Sequence, residues 1–269
     1  TDMIYRIFFF ISFIFTCNCL YSQNEINKIT ELLDKNNLKK SESLIKSYFI
    51  NDTNSINYSF LTGRLERKKG NYIIAEYYLK KCLKLDSLYS MAHAGLGTIY
   101  CINKQYNKAL ISMNKAIALD SSNMDFYNDR SAIYYDTNEF EKAYNDLLKA
   151  YAKYPNDEYL IHNMGTALNA LNRYKEAIVY FNKVNIINPK EARNHFDRGI
   201  AYYQIDEPKK AIKDLKMAIK YNHKTILNER IELYKIYRQL ALAYSEINEP
   251  KKSERYQIKA LNNGWTDTK

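Results

Sequence analysis

Apolar and polar positions along this chain follow the period of a helix, not of a strand. Leu96, Ile99 and Tyr100 fall at helical spacing, and Ala109, Met113 and Ala116 do the same a few residues on. Alternating runs of Val, Ile and Thr bounded by turn residues are absent. Seven glycines and four prolines punctuate 269 residues. That is sparse for a strand-rich protein and natural for a chain of helical hairpins.

The pattern repeats. The step from Gly63 to Gly97 equals the step from Gly165 to Gly199 and is half that from Gly97 to Gly165; Ser131 fills the missing member. Leu96-Gly97-x-x-Tyr100 precedes Ala109, Met113 and Ala116. Arg130-Ser131-x-x-Tyr134 precedes Ala143, Leu147, Ala150 and Pro155. Met164-Gly165-x-x-Leu168 precedes Ala177, Phe181, Val184 and Pro189. Arg198-Gly199-x-x-Tyr202 precedes Ala211, Leu215 and Ala218. Self-similarity at a period of about 34 residues predicts a solenoid of two-helix bricks. Small residues let helix axes approach to about 8–10 Å. One hairpin cannot bury both faces alone, so neighbours stack. Pro155 and Pro189 follow second helices and stop them. Pro208 and Pro250 open second helices, where a missing N–H costs nothing.

This frame resembles the tetratricopeptide repeat family, whose pattern is about 34 residues long and reads W-x-x-L-G-x-x-Y, then A-x-x-x-F, then P. The tryptophan position holds His93, Tyr127, Ile161, His195 and Tyr237 here. Six repeats fall at 56–89, 90–123, 124–157, 158–191, 192–225 and 234–267, after a degenerate repeat at 23–55 with Ser41 in the alanine slot. The resemblance implies an all-α, right-handed α-solenoid of stacked helix-turn-helix repeats whose first helices line a concave surface. One break interrupts it: residues 226–233 are inserted, without Gly or Pro. They are expected to lengthen the first helix of the last repeat by about two turns. Gly264 is expected to stop the last helix, with Trp265 covering its apolar face.

Two repeats carry arginine just before the glycine slot, Arg130 and Arg198. The same two carry aspartate at one matching position of the second helix, Asp146 and Asp214. Repeats with Leu96, Met164 or Leu240 before the slot have Ser112, Tyr180 and Tyr256 instead. Arg130–Asp146 and Arg198–Asp214 are therefore expected as structural ion pairs between the two helices of a repeat.

The N-terminus departs from the frame. Met3 is the expected start, and Arg6 precedes Ile7 to Phe15, in which only Ser12 is polar. The apolar stretch, extended to Leu20, falls short of the ~20 residues that span a bilayer. Polar Asn24 and Glu25 follow, so residues 1–22 read as a secretory signal peptide. The expected location is secreted or periplasmic, in the cell envelope. An uncleaved anchor, or a lipid on Cys17 or Cys19, is the alternative, and only then is a membrane involved. Cys82 and Cys101 remain outside the leader; they could pair, but Cys82 sits in a small-residue slot and reads as a packed thiol.

The formal charge of +10 comes from scattered lysines with no block of five like charges, as on solvated helix faces. The chain offers little chemistry. It has no HExxH, no paired CxxC and no Asp-rich calcium loop. Gly95-Leu96-Gly97 lies inside a helix and lacks the Lys-Ser/Thr of a phosphate loop. No catalytic, cofactor-binding or metal-binding residue is expected, so the reading is not an enzyme.

What remains is recognition of a protein or peptide. First-helix side chains off the packing face are free for a ligand: Asn128, Tyr135, His162, Thr166, Asn169, Arg193, Phe196 and Tyr203. Aromatics bury area and amides bond an extended backbone. Some family members grip a C-terminal carboxylate with Lys and Asn on successive first helices. The matching positions here are Ala94, Thr98, Asn128, Tyr159 and Asn163. The lysines are missing, which implies a different or longer partner. The expected function is a protein–protein interaction scaffold, with a membrane-tethered envelope assembly factor as alternative. A helical repeat reading RNA is the remote one, which the leader opposes.

Overall fold

The computed structural model describes residues 23–223 and 230–266. The expected signal peptide, 1–22, lies outside the described residues. Among those residues there are 14 helices and no strand. Helix α1 covers 23–34, and α2 is Leu38–Tyr48. Then come the pairs α3 (Ile56–Lys68) with α4 (Tyr72–Leu85), and α5 (Ser90–Ile102) with α6 (Tyr106–Leu119). These are followed by α7 (Met124–Asp136) with α8 (Phe140–Lys153), and α9 (Glu158–Ala170) with α10 (Tyr174–Ile187). The last are α11 (Ala192–Gln204) with α12 (Pro208–Asn222), and α13 (Leu233–Glu246) with α14 (Pro250–Asn262). From α3 to α12 each first helix and each second helix starts one repeat length after the last of its kind, the step that separates Gly63 from Gly97.

A single turn geometry sets this period. One residue between the helices of each hairpin takes a left-handed backbone: Asn36, Gly70, Lys104, Asn138, Asn172, Asp206 and Asn248, with φ of 56° to 83°. At the second of these, Gly70 N–H donates to Arg67 O at 3.0 Å and Asn71 N–H to Glu66 O at 2.9 Å. The same two bonds recur at all seven turns. They satisfy carbonyls that the ending helix leaves open. The following residue is already the N-cap of the second helix, as Asn71 is for α4. Asn, Asp and Gly suit the left-handed position; Lys104 is the exception. The presence of Asn36 in this series puts the degenerate first repeat on the same geometry.

Close approach of the two helices is the second determinant. A Cβ on Gly165 would lie 2.6 Å from the Phe181 ring, and one on Gly199 would lie 3.0 Å from Leu215 Cγ. Leu79, Met113, Leu147, Phe181 and Leu215 recur once per repeat opposite the small slot, and all are buried. The alanine slot, Ala75, Ala109, Ala143, Ala177 and Ala211, is buried too.

The chain forms two compact units, divided between Phe126 and Tyr127. In the first, α2 packs on α3, α3 on α4, and α4 on α5, around a core that includes Leu61, Leu79 and Ile99. In the second, each hairpin from α9 to α14 packs on the next, around Leu215, Ile236 and Leu240 among others. There α11 also touches the first helices on either side, α9 and α13.

The insertion does not extend a helix. Helix α13 starts at Leu233 and has 14 residues, against 13 in α11. Arg230, Ile231 and Glu232 precede it in non-helical backbone; 226–229 lie outside the described residues. The reason is local. The Asn222 side chain accepts from Ile231 N–H at 2.8 Å and donates to Ile231 O at 2.7 Å. Both backbone groups a helix would need are already bonded. At the other end, Gly264 (φ 99°) follows α14, and Arg238 lies 5.9 Å over the half-buried Trp265 ring.

Candidate functional site

Two polar networks sit between helices of the second unit. Arg130 donates to Asp146 through Nε at 2.7 Å and Nη2 at 2.8 Å. Its guanidinium lies 5.5 Å from the ring centres of both Tyr127 and Tyr134. Arg198 makes the same two-pronged contact with Asp214, at 2.7 and 2.8 Å, and donates from Nη1 to Asn182 Oδ1 at 2.8 Å. Both aspartates are buried. The hydrogen bonds it donates to Asp146 hold the Arg130 pKa above its ordinary value, against burial. Burial works to raise the Asp214 carboxyl, but hydrogen bonds from Arg198 and His195 outweigh it and hold its pKa below the ordinary carboxylate value.

His195, in the tryptophan slot, does more than pack. It is buried, with Nδ1 3.2 Å from Asp214 Oδ1, Nε2 3.0 Å from Pro189 O, and its ring stacked on Tyr221. Both of its ring nitrogens face acceptors. These networks join helices and are not open to a ligand.

The open site is a groove of about 690 Å³ in the same unit. Five of the eight ligand candidates line it: Tyr135 from α7, His162 and Thr166 from α9, and Arg193 and Phe196 from α11. The other three lie elsewhere. Asn169 donates to Asp197 O at 3.0 Å and so ties α9 to α11. Tyr203 lines a separate hollow and bonds Glu246 at 3.4 Å. Asn128 accepts the Ser131 hydroxyl on its backbone oxygen at 2.6 Å. Helical spacing alone does not say which way a first helix turns its free face.

The groove also has lining residues that the candidate set omits. Asp136, Asn163 and Asp197 come from the first helices, and Arg230, Ile231, Glu232 and Lys235 from the stretch before and at the start of α13. His162 Nε2 lies 3.0 Å from Asp197 Oδ2, close enough for an ion pair though not aligned as a hydrogen bond. The first helices could have been scanned for Asp136 and Asp197; no repeat register points to the inserted stretch.

Among the described residues no group of three His, Cys, Asp or Glu is placed to hold a metal ion. Cys82 and Cys101 are not joined in a disulfide, and burial pushes the Cys82 thiol up to about 11, where it is protonated and unreactive. No helix among the described residues is long and apolar enough to cross a membrane.

Comparison with known proteins gives the same frame. A tetratricopeptide repeat model matches residues 159–191. The chain is 22% identical to a DnaJ homolog subfamily C member 7 homolog of Dictyostelium discoideum, over 90% of this chain and 52% of that protein. It is 29% identical over 118 residues to the type IV pilus assembly protein PilF of Pseudomonas aeruginosa, covering 43% of this chain and 47% of that one. It thus spans about half the length of these curated relatives. Among solved structures, Pseudomonas aeruginosa PilF superposes with a TM-score of 0.64 at 21% identity, over 78% of this chain and 93% of that one. YrrB, described as a TPR protein with an unusual peptide-binding site, superposes with a TM-score of 0.56 at 21% identity, over 66% and 91%. One constant step written into both helix starts and turn geometry, and small residues at the helix contacts, give this chain the frame of the tetratricopeptide repeat, whose model matches it over residues 159–191.

Proposed function

We propose that this protein is a non-enzymatic scaffold that holds an extended polypeptide segment in the groove of its second unit. One observation carries the reading: the groove's side chains retain unused bonding capacity. Among the described residues, the exposed Asn163 amide and Arg193 guanidinium have no hydrogen-bond or ion-pair partner. Tyr135 and Phe196 offer aromatic area beside them. Amides and a guanidinium suit backbone carbonyls and polar side chains of a ligand, and aromatics suit its apolar ones. YrrB, of the same fold, is described with a peptide-binding site, which agrees with this reading.

The apolar stretch before residue 22 supports export to the cell envelope. The match to a pilus assembly protein supports a second reading, an envelope assembly factor held at the membrane by an uncleaved or lipidated N-terminus. Determining the N-terminus of the protein purified from cells separates the two: a start near residue 23 excludes tethering. For the groove, a photo-crosslinking residue at position 135 is expected to capture a protein that the same residue at 251, on α14, does not. Tyr135→Ala with Asn163→Ala is expected to abolish co-purification of that protein. Equal capture at both positions refutes the groove assignment.

A further inference from the structure

The stretch before α13 is held more firmly than a connection requires. Asn222 is buried, and both functions of its amide are spent on the backbone of Ile231, like one rung of a β-ladder. Ile231 is buried in turn. Successive side chains of an extended segment point to opposite sides. Anchoring Ile231 inward therefore sends its neighbours Arg230 and Glu232 outward, where both are exposed on the groove. Arg230 Nη2 is further tied to His223 O at 2.8 Å.

This strap changes the charge of one end of the groove. Lys235 stands on the first turn of α13 and Arg193 on the first turn of α11. Glu232 bonds Lys235 at 2.7 Å and raises its pKa, and the field of Arg193 works against that rise, so the two cations sense each other. The positive ends of two helix dipoles add to the same place. One turn further along α11 the sign reverses at Asp197. That carboxylate already faces His162. Burial raises the Tyr135 phenol, and the fields of Asp197 and Asp136 add to the effect. The acidic side of the groove thus already faces His162, while Arg193 has no carboxylate of its own among the described residues.

We propose that the strap makes the groove selective for polypeptide segments that bring an acidic side chain to Arg193, Arg230 and Lys235, with neighbouring apolar side chains resting on Phe196 and Tyr135. This rests on the groove reading above. A guanidinium donates two parallel N–H bonds to a carboxylate, which a lysine ammonium, itself only a donor, cannot accept. A continuous polyanion such as nucleic acid fits poorly, because Asp136, Asp197 and Glu232 interrupt the positive surface.

The test is selection of a displayed library of random dodecapeptides on the full chain and on two variants. All substituted residues are exposed, and circular dichroism checks the fold. The wild type is expected to enrich peptides with Asp or Glu beside an aromatic or aliphatic residue, at least about tenfold over the library. Arg230→Glu with Lys235→Glu is expected to lose that enrichment by about tenfold or reverse it toward Lys and Arg. Unchanged acidic enrichment in this variant overturns the role of the strap. Tyr135→Ala with Asn163→Ala is expected to weaken selection of every peptide. If wild-type peptides are lost in this variant but carry no acidic preference, the groove stands and the acidic reading falls. If its selected peptides equal those of the wild type, or the wild type selects none, the groove itself is refuted.

Discussion

Two neighbouring hairpins, α9–α10 and α11–α12, share one frame and fill it with opposite chemistry. In α9–α10 three slots hold Ile161, Met164 and Tyr180; one repeat on, the same slots hold His195, Arg198 and Asp214. Ile161 and Met164 are fully buried apolar side chains. Their counterparts form a buried network in which one carboxylate receives an arginine and faces a histidine. The turns are alike, with Asn172 and Asp206 both left-handed. The glycine slot is the same in both. The frame therefore comes from turn and close approach. The slots between the helices can exchange chemistry, provided arginine and aspartate are exchanged together.

The largest expected effect breaks that togetherness. Asp214→Ala leaves Arg198 and His195 facing no carboxylate and is expected to cost about 3–5 kcal/mol in urea unfolding. Installing the neighbour's whole set, His195→Ile, Arg198→Met and Asp214→Tyr, is expected to recover most of it, since a packed apolar set often equals a buried ion pair. A triple variant no more stable than Asp214→Ala ends the comparison. The two hairpins should also differ in acid. The Asp214 pKa is lowered on folding. Its contribution is therefore present above the unfolded value of about 3.9 and is lost as pH falls through the folded value. The triple variant should show a shallower loss of stability on that acid side.

A middle-sized effect tests the close approach. Gly165→Ala drives a Cβ to 2.6 Å from Phe181, a rigid and fully buried ring. The expected loss is about 1–3 kcal/mol. Gly199→Ala meets Leu215 at 3.0 Å and should cost less. Equal costs, measured by thermal unfolding, mean that the ring relaxes as easily as the leucine. The smallest effect is a gain. Lys104 occupies the left-handed position that its counterparts fill with Asn, Asp or Gly. Lys104→Gly is expected to add about 0.5–1 kcal/mol to the first unit. No rise in melting temperature there removes the turn from the determinants of the frame.

Much of this fold was legible because a repeat compares itself with itself. Gly97 and Gly165 share a phase, and arginine at 130 and 198 comes with aspartate at 146 and 214, so contact could be argued without an alignment. The left-handed turn residues were equally present as Asn138 and Asn172, but Lys104 hides the series. The site was less legible. Tyr135, His162, Thr166, Arg193 and Phe196 line the groove, yet Asn169 turns toward α11 and Tyr203 toward Glu246. Such choices depend on how far each helix is rotated against its neighbours, and helical spacing is silent on that.

By itself, then, the sequence determined the period, the hairpins, the small-residue contacts and which slots carry charge. All of these are local in the chain or are tied to a constant separation, so comparing one repeat with the next exposes them. Only the tertiary structure decided what surrounds the groove. Ile231 is held by Asn222 and not by a helix, because a buried amide from a different element met its N–H and C=O first. Backbone bonding of that kind is settled by which groups packing brings within about 3 Å, and the residues of the insertion carry no mark of it.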